Sequence, residues 1–177
     1  MKKPRRRQDG ERRSDNAKRK LLATPDPDAL EHLAHNVQYG GRGKHKQHPH
    51  AFGLEPEAQQ ASDRTTCDGD AGFRPEDMES IVPMMQRGIQ AGLVGHDRMR
   101  VVWAVSNNGW VFEARVTNDA QSLYHGYPLR PEDPVAERIV RRYLHSVSTV
   151  DSVEIQHGAQ SACERYGIKF NESEASD

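Results

Sequence analysis

Residues 100–129 read RVVWAVSNNGWVFEARVTNDAQSLYHGYPL, and the pattern of this stretch decides the fold. Two apolar runs, 100–105 and 110–116, flank Asn108-Gly109, a dipeptide that tolerates positive φ at both central positions of a type I′ turn. A two-residue loop there sets Asn107 opposite Trp110, Val105 opposite Phe112, Trp103 opposite Ala114 and Val101 opposite Val116. This register gathers the large apolar side chains on one face and leaves Ser106, Glu113 and Arg115 on the other, as a half-buried sheet requires. After a turn over 117–122, residues 123–129 (LYHGYPL) supply a third antiparallel strand.

Outward from the hairpin the spacing of apolar residues becomes helical. Pro27 after Asp26, then Leu30, Leu33, Ala34 and Val37, with Gly40-Gly41 as a stop, predict a short amphipathic helix. A helix begun at Pro75 would carry Pro83 in its interior at a cost of ~3 kcal/mol. Begun at Ser80, it places Pro83 in the first turn and buries Ile81, Val82, Met85, Ile89 and Leu93, ending at Gly92 or Gly95. Asp133-Pro134 opens a third helix with Val135, Ile139, Val140, Tyr143, Leu144 and Val147 facing inward. Residues 152–166 read as a last helix, with Asp151 and Glu154 as a capping box and Gly167 as terminator; a short strand through Val153 and Ile155 is the alternative. The fold class is α+β, a small antiparallel sheet (hairpin plus third strand) with helices packed on one face.

With 177 residues, 34% hydrophobic and 29% charged, the chain suits one domain plus tails. The expected division is a disordered basic arm over 1–23, a single domain over 24–169 and a disordered acidic tail over 170–177. The net charge of -1 hides an asymmetry, because residues 1–50 hold 13 Lys/Arg against 6 Asp/Glu and residues 51–177 hold 12 against 20. No apolar run approaches the ~18 residues of a membrane span, and the first twenty residues lack the apolar stretch of a secretory signal. Two cysteines cannot build a disulfide framework, so a cytoplasmic location and reduced thiols are expected.

Chemistry concentrates in three places. The first is the glycine-led segment YGGRGKHKQHPH at 39–50, which interleaves Arg42, Lys44 and Lys46 with His45, His48 and His50, one turn after His35. Such cation density suits a polyanion such as RNA, and histidine moves protons near neutral pH. A solvated basic loop is the plain alternative. A zinc site from these histidines with Cys67 ranks third, since no paired ligand spacing supports it and the cations repel a dication. The second place is YHGYP at 124–128. Strand alternation puts His125 and Tyr127 on one face, beside Arg115 or Glu113, as an acid–base patch; an edge strand ended by Pro128 is the structural alternative. The third is RTTCD at 64–68, where Cys67 reads as a buried, inert thiol.

The string HNVQYGGRGKHKQHPHAFGL, followed by TTCD, VWAV and YHGYPL, resembles a family of small stand-alone bacterial proteins over roughly residues 35–145. From that family no activity carries over. A looser likeness is to the barnase/EndoU/colicin/RelE-like superfamily of ribonuclease toxins, which place a Lys-His segment ahead of a helix and a compact antiparallel sheet. Lys44-His45, Phe52-Gly53, the helix through Met85 and the hairpin with Thr117-Asn118 follow that order. The resemblance implies a metal-independent endoribonuclease of toxin or defence type, without cofactor, with RNA as partner and a cognate inhibitor protein. The expected roles are His45, His125 and Tyr127 as catalytic residues, and Arg42, Lys44, Lys46 and Arg115 as phosphate ligands. The rival expectations are a nonenzymatic module binding nucleic acid or protein and, behind it, a zinc-dependent hydrolase.

Overall fold

A computed structural model of the chain describes residues 19–58, 65–148 and 152–169. The acidic tail, Asp151 of the capping box, Arg64 and all but the end of the basic arm lie outside these residues. The elements run α1 (Pro27–Asn36), β1 (Gln38–Tyr39), α2 (Ile81–Gln90), β2 (Val101–Val105), β3 (Val111–Asn118), β4 (Leu123–Pro128), α3 (Ala136–Val147) and α4 (Val153–Arg165). The fold is α+β. The last helix forms as helix, not strand, and Pro83 sits in the first turn of α2, behind a 3-10 turn over Pro75–Ser80.

The sheet has the order β1-β4-β3-β2. Its hairpin and third strand are antiparallel, and a two-residue strand the sequence did not announce, β1, joins β4 in parallel and makes the sheet mixed. The hairpin register differs by one residue from the expected one. Trp103 lies opposite Glu113, Ala104 opposite Phe112 and Val105 opposite Val111. The cause is the loop, which spans three residues. Gly109 N–H donates to Ser106 O at 2.9 Å, closing a turn through Asn107 and Asn108, and Gly109 then takes φ +79°. A type I turn followed by a left-handed glycine is the usual three-residue hairpin.

One residue of slip moves a whole set of side chains to the other face. Trp103 and Phe112 therefore part company, and both faces are covered, in place of the single covered face expected. Val101, Trp103, Val105 and Val111 pack with Ile139, Val140 and Tyr143 of α3 and Ala159 and Ala162 of α4. On the other side Val102, Ala114 and Tyr124 pack with Leu33 of α1 and Ile81, Met85 and Ile89 of α2, while Ala104 and Phe112 meet Met84 and Cys67. Helix α2 comes so close that a Cβ on Gly88 would stand 2.1 Å from Trp103 O.

The ordered fold also reaches back to Arg19, which the expected division assigned to the arm. Leu21 bridges to Gly95, Leu22 N–H donates to Val94 O at 2.9 Å, and Arg19 is buried. The Arg138/Arg141/Arg142 side of α3 offers no continuous cationic face. Arg142 donates to Leu22 O and Gly92 O, and Arg141 pairs with Glu137.

Candidate functional site

Strand β1 covers β4 only at Leu123 and Tyr124. Beyond it, the long 40–72 connection fastens along the remaining edge of β4. The Cys67 thiol donates to Gly126 O at 3.6 Å and the Thr65 hydroxyl to Pro128 O. His45 O in turn accepts the Cys67 N–H at 3.0 Å. The described residues of the connection are well anchored for a segment with so little regular structure. Both Asp68 carboxylate oxygens accept backbone N–H groups, of Gln47 at 2.7 Å and His48 at 2.8 Å. Despite the burial that opposes it, these amides hold Asp68 below its usual carboxylate value. Gly43 lies tight against the 55–57 backbone, where a Cβ would fall 1.9 Å from Glu55 O.

This path delivers His45 to the face that carries Glu113, Arg115, His125 and Tyr127. The His45 ring is buried and stacks on His125 at 5.4 Å with planes 13° apart, and on Tyr127 at 5.1 Å with planes 28° apart. Below the stack lies Glu113, which is fully buried. Its Oε1 accepts Tyr127 O–H at 2.6 Å and Arg115 Nε at 2.9 Å; its Oε2 accepts Arg19 Nε at 2.7 Å and Trp103 Nε1 at 3.2 Å. Arg19 reaches on to Asp133 at 2.8 Å, whose other oxygen caps Val135 N–H at the start of α3. Burial would raise the Glu113 carboxyl, but the two guanidinium groups and the Tyr127 hydroxyl together hold it below its usual range. Burial and then the Glu113 charge push the Tyr127 phenol up to about 12.

His125 is half-buried, with Nδ1 2.6 Å from the Thr117 hydroxyl. Burial first, then Lys44, Arg42 and Arg115, bring its imidazole down from 6.5 to about 4. It is thus neutral at physiological pH and surrounded by cations. Arg115 is over a third exposed and braced from behind by Glu113. Arg42 makes a two-pronged contact with Glu57, at 2.6 and 3.2 Å. The site is a neutral imidazole with Lys44, Arg42 and Arg115 around it, each of the two arginines already paired with a carboxylate.

Of the expected site residues, then, the structure brings together His45, His125, Tyr127 and Arg115, with Arg42 and Lys44 at their margin. Lys46 is not among them. His45 closes a 3-10 turn over Gly43–His45, and the chain leaves it extended at Lys46, whose side chain lies on the far side of the sheet edge, buried in a cavity lined by Tyr39, Cys67 and Met84. His35, His48 and His50 are exposed and apart from the stack. Among the described residues, no group of three or more His, Cys, Asp or Glu is placed to hold a metal ion. No helix among them is long and apolar enough to cross a membrane. The sequence reading missed Arg19 and gave Lys46 the wrong surroundings; with Glu113 expected on the polar face, nothing in the sequence called for a buried cation. Comparisons with protein-family models, with curated proteins and with solved structures find no match to this chain.

Proposed function

We propose that the chain is a small metal-independent endoribonuclease of toxin or defence type, acting on RNA in the cytoplasm. The observation that carries this reading is the His45–His125–Tyr127 stack, with Arg115, Lys44 and Arg42 close enough to depress His125. A phosphodiester seated among the three cations sets a negative charge against them. That charge raises the proton affinity of His125 when a base is needed. His125 takes the proton of the 2′-hydroxyl. The 2′-oxygen then bonds to the adjacent phosphorus, the bond from phosphorus to the 5′-oxygen breaks, and solvent protonates the departing oxygen. A 2′,3′-cyclic phosphate and a free 5′-hydroxyl result. Arg115, Lys44 and Arg42 hold the charge that gathers on the phosphoryl oxygens. His45 and Tyr127 are positioning residues, one stacking on the base and the other tying the stack to Glu113. A toxin of this kind also calls for a cognate inhibitor protein over the same cations.

The test is purified protein with bulk RNA in excess EDTA from pH 5 to 8. Cleavage is expected, with a loss of about 10²–10⁴-fold in His125→Ala and a smaller loss in His45→Ala. No cleavage at any pH, or cleavage unchanged in His125→Ala, overturns the reading. RNA bound in a salt-sensitive way but left intact identifies a binding module instead.

A further inference from the structure

Lys46 is 2% exposed, and among the described residues its ammonium meets no oxygen or nitrogen acceptor, its one polar neighbour being the weakly accepting Cys67 sulfur. It lines a cavity whose other walls are Phe73, Met84, Met85, Phe112 and the small residues Ala104, Ala114 and Gly126, with Tyr39 and Cys67. The one aromatic face it meets is Phe52, 4.8 Å from Nζ, a contact that offsets a modest part of a cation's desolvation. None of the lining side chains is a carboxylate. Asp68, two residues beyond Thr66, has both oxygens turned to the Gln47 and His48 amides. The Cys67 thiol donates to Gly126 O, and burial raises its pKa, so it stays neutral and supplies no countercharge.

A buried charge whose one polar neighbour is a neutral thiol costs several kcal/mol unless something neutralises it. The cavity has room for about one water-sized group, which excludes organic acids and nucleotides and suits a monatomic ion. We infer that Lys46 holds a single monovalent anion of halide size, chloride in a cell, in this cavity on the face of the sheet opposite the histidine stack. The anion pairs with Nζ on one side and rests against apolar walls on the other. Because Lys46 follows His45 directly, an occupied cavity also fixes the segment that delivers His45 to the stack.

Bromide is the probe. Wild-type crystals soaked in bromide are expected to show an anomalous peak in contact with Lys46 Nζ. In solution, replacing gluconate by chloride at constant ionic strength is expected to raise the wild-type Tm and leave that of Lys46→Met flat. Cys67→Ser is expected to keep the chloride response, because the thiol is not the countercharge. A cavity holding water alone, without an anomalous peak, overturns the inference, as does a chloride response shared equally by wild type and Lys46→Met. The crystal readout needs no variant, and neither readout involves RNA, so this site and the ribonuclease reading stand or fall separately.

Discussion

Glu113 and Lys46 are both buried ionic side chains, one on a face of the four-stranded sheet and the other in the cavity against the opposite face. Glu113 accepts four hydrogen bonds, from Arg19, Trp103, Arg115 and Tyr127. Lys46 meets no oxygen or nitrogen acceptor among the described residues, only the ring of Phe52, the neutral Cys67 thiol and largely apolar walls. Burial is equally severe for both, so satisfaction is what separates them. A saturated charge is architecture, because it ties Arg19, the hairpin and β4 into one unit that carries the stack. An unsaturated charge is a vacancy in the network and points to something that binds.

This contrast predicts mutations of opposite sign. Glu113→Ala leaves the buried Arg19 with Asp133 alone and takes the brace from Arg115, and a loss of about 3–5 kcal/mol is expected in chemical denaturation. Lys46→Met removes an uncompensated charge at nearly constant volume. In chloride-free buffer it is expected to stabilise by about 1–4 kcal/mol, with the gap closing as chloride is added. Equal destabilisation by both substitutions would erase the distinction. Tyr127→Phe deletes one hydrogen bond to a charged group that keeps three other donors. Its expected cost is about 1.5–3 kcal/mol, together with a loosened His45 stack visible as shifted imidazole resonances.

The last effect is in pH dependence. As pH falls from about 6.5 to about 4, the unfolded chain protonates His125 while the folded chain does not. Folding stability from this group is therefore present above the unfolded value and is lost on acidification. Relative to His125→Gln, wild type is expected to lose stability across that window and then level off. A difference that stays constant from pH 7 to 4 contradicts the placement of His125 among Lys44, Arg42 and Arg115.

Much of the fold was legible because its signals are local. Asn108-Gly109 marked the hairpin, Pro83 fixed where α2 begins, and the stripe from Ile139 to Val147 defined α3. The register was not legible, because alternation reports a single buried face and this sheet buries two. With Ala104, Ala114 and Gly126 small enough to admit a helix on the second face, one residue of slip leaves no exposed apolar side chain to betray it. The two-residue β1 carries no periodicity of its own. His125 and Tyr127 were readable as a pair from strand alternation, and His45 from its cationic neighbours. What separates Lys44 from Lys46, or Arg19 from the cations before it, is tertiary: the side of the sheet edge on which a side chain falls, and the carboxylate that waits there.

The most direct test of the site is end-group analysis of RNA incubated with the protein in EDTA. The arrangement of His125 among three cations predicts fragments that end in 2′,3′-cyclic phosphate, formed by wild type and nearly absent with His125→Ala. Intact RNA, fragments ending in 3′-hydroxyl, or cyclic-phosphate ends produced equally by the variant would contradict it.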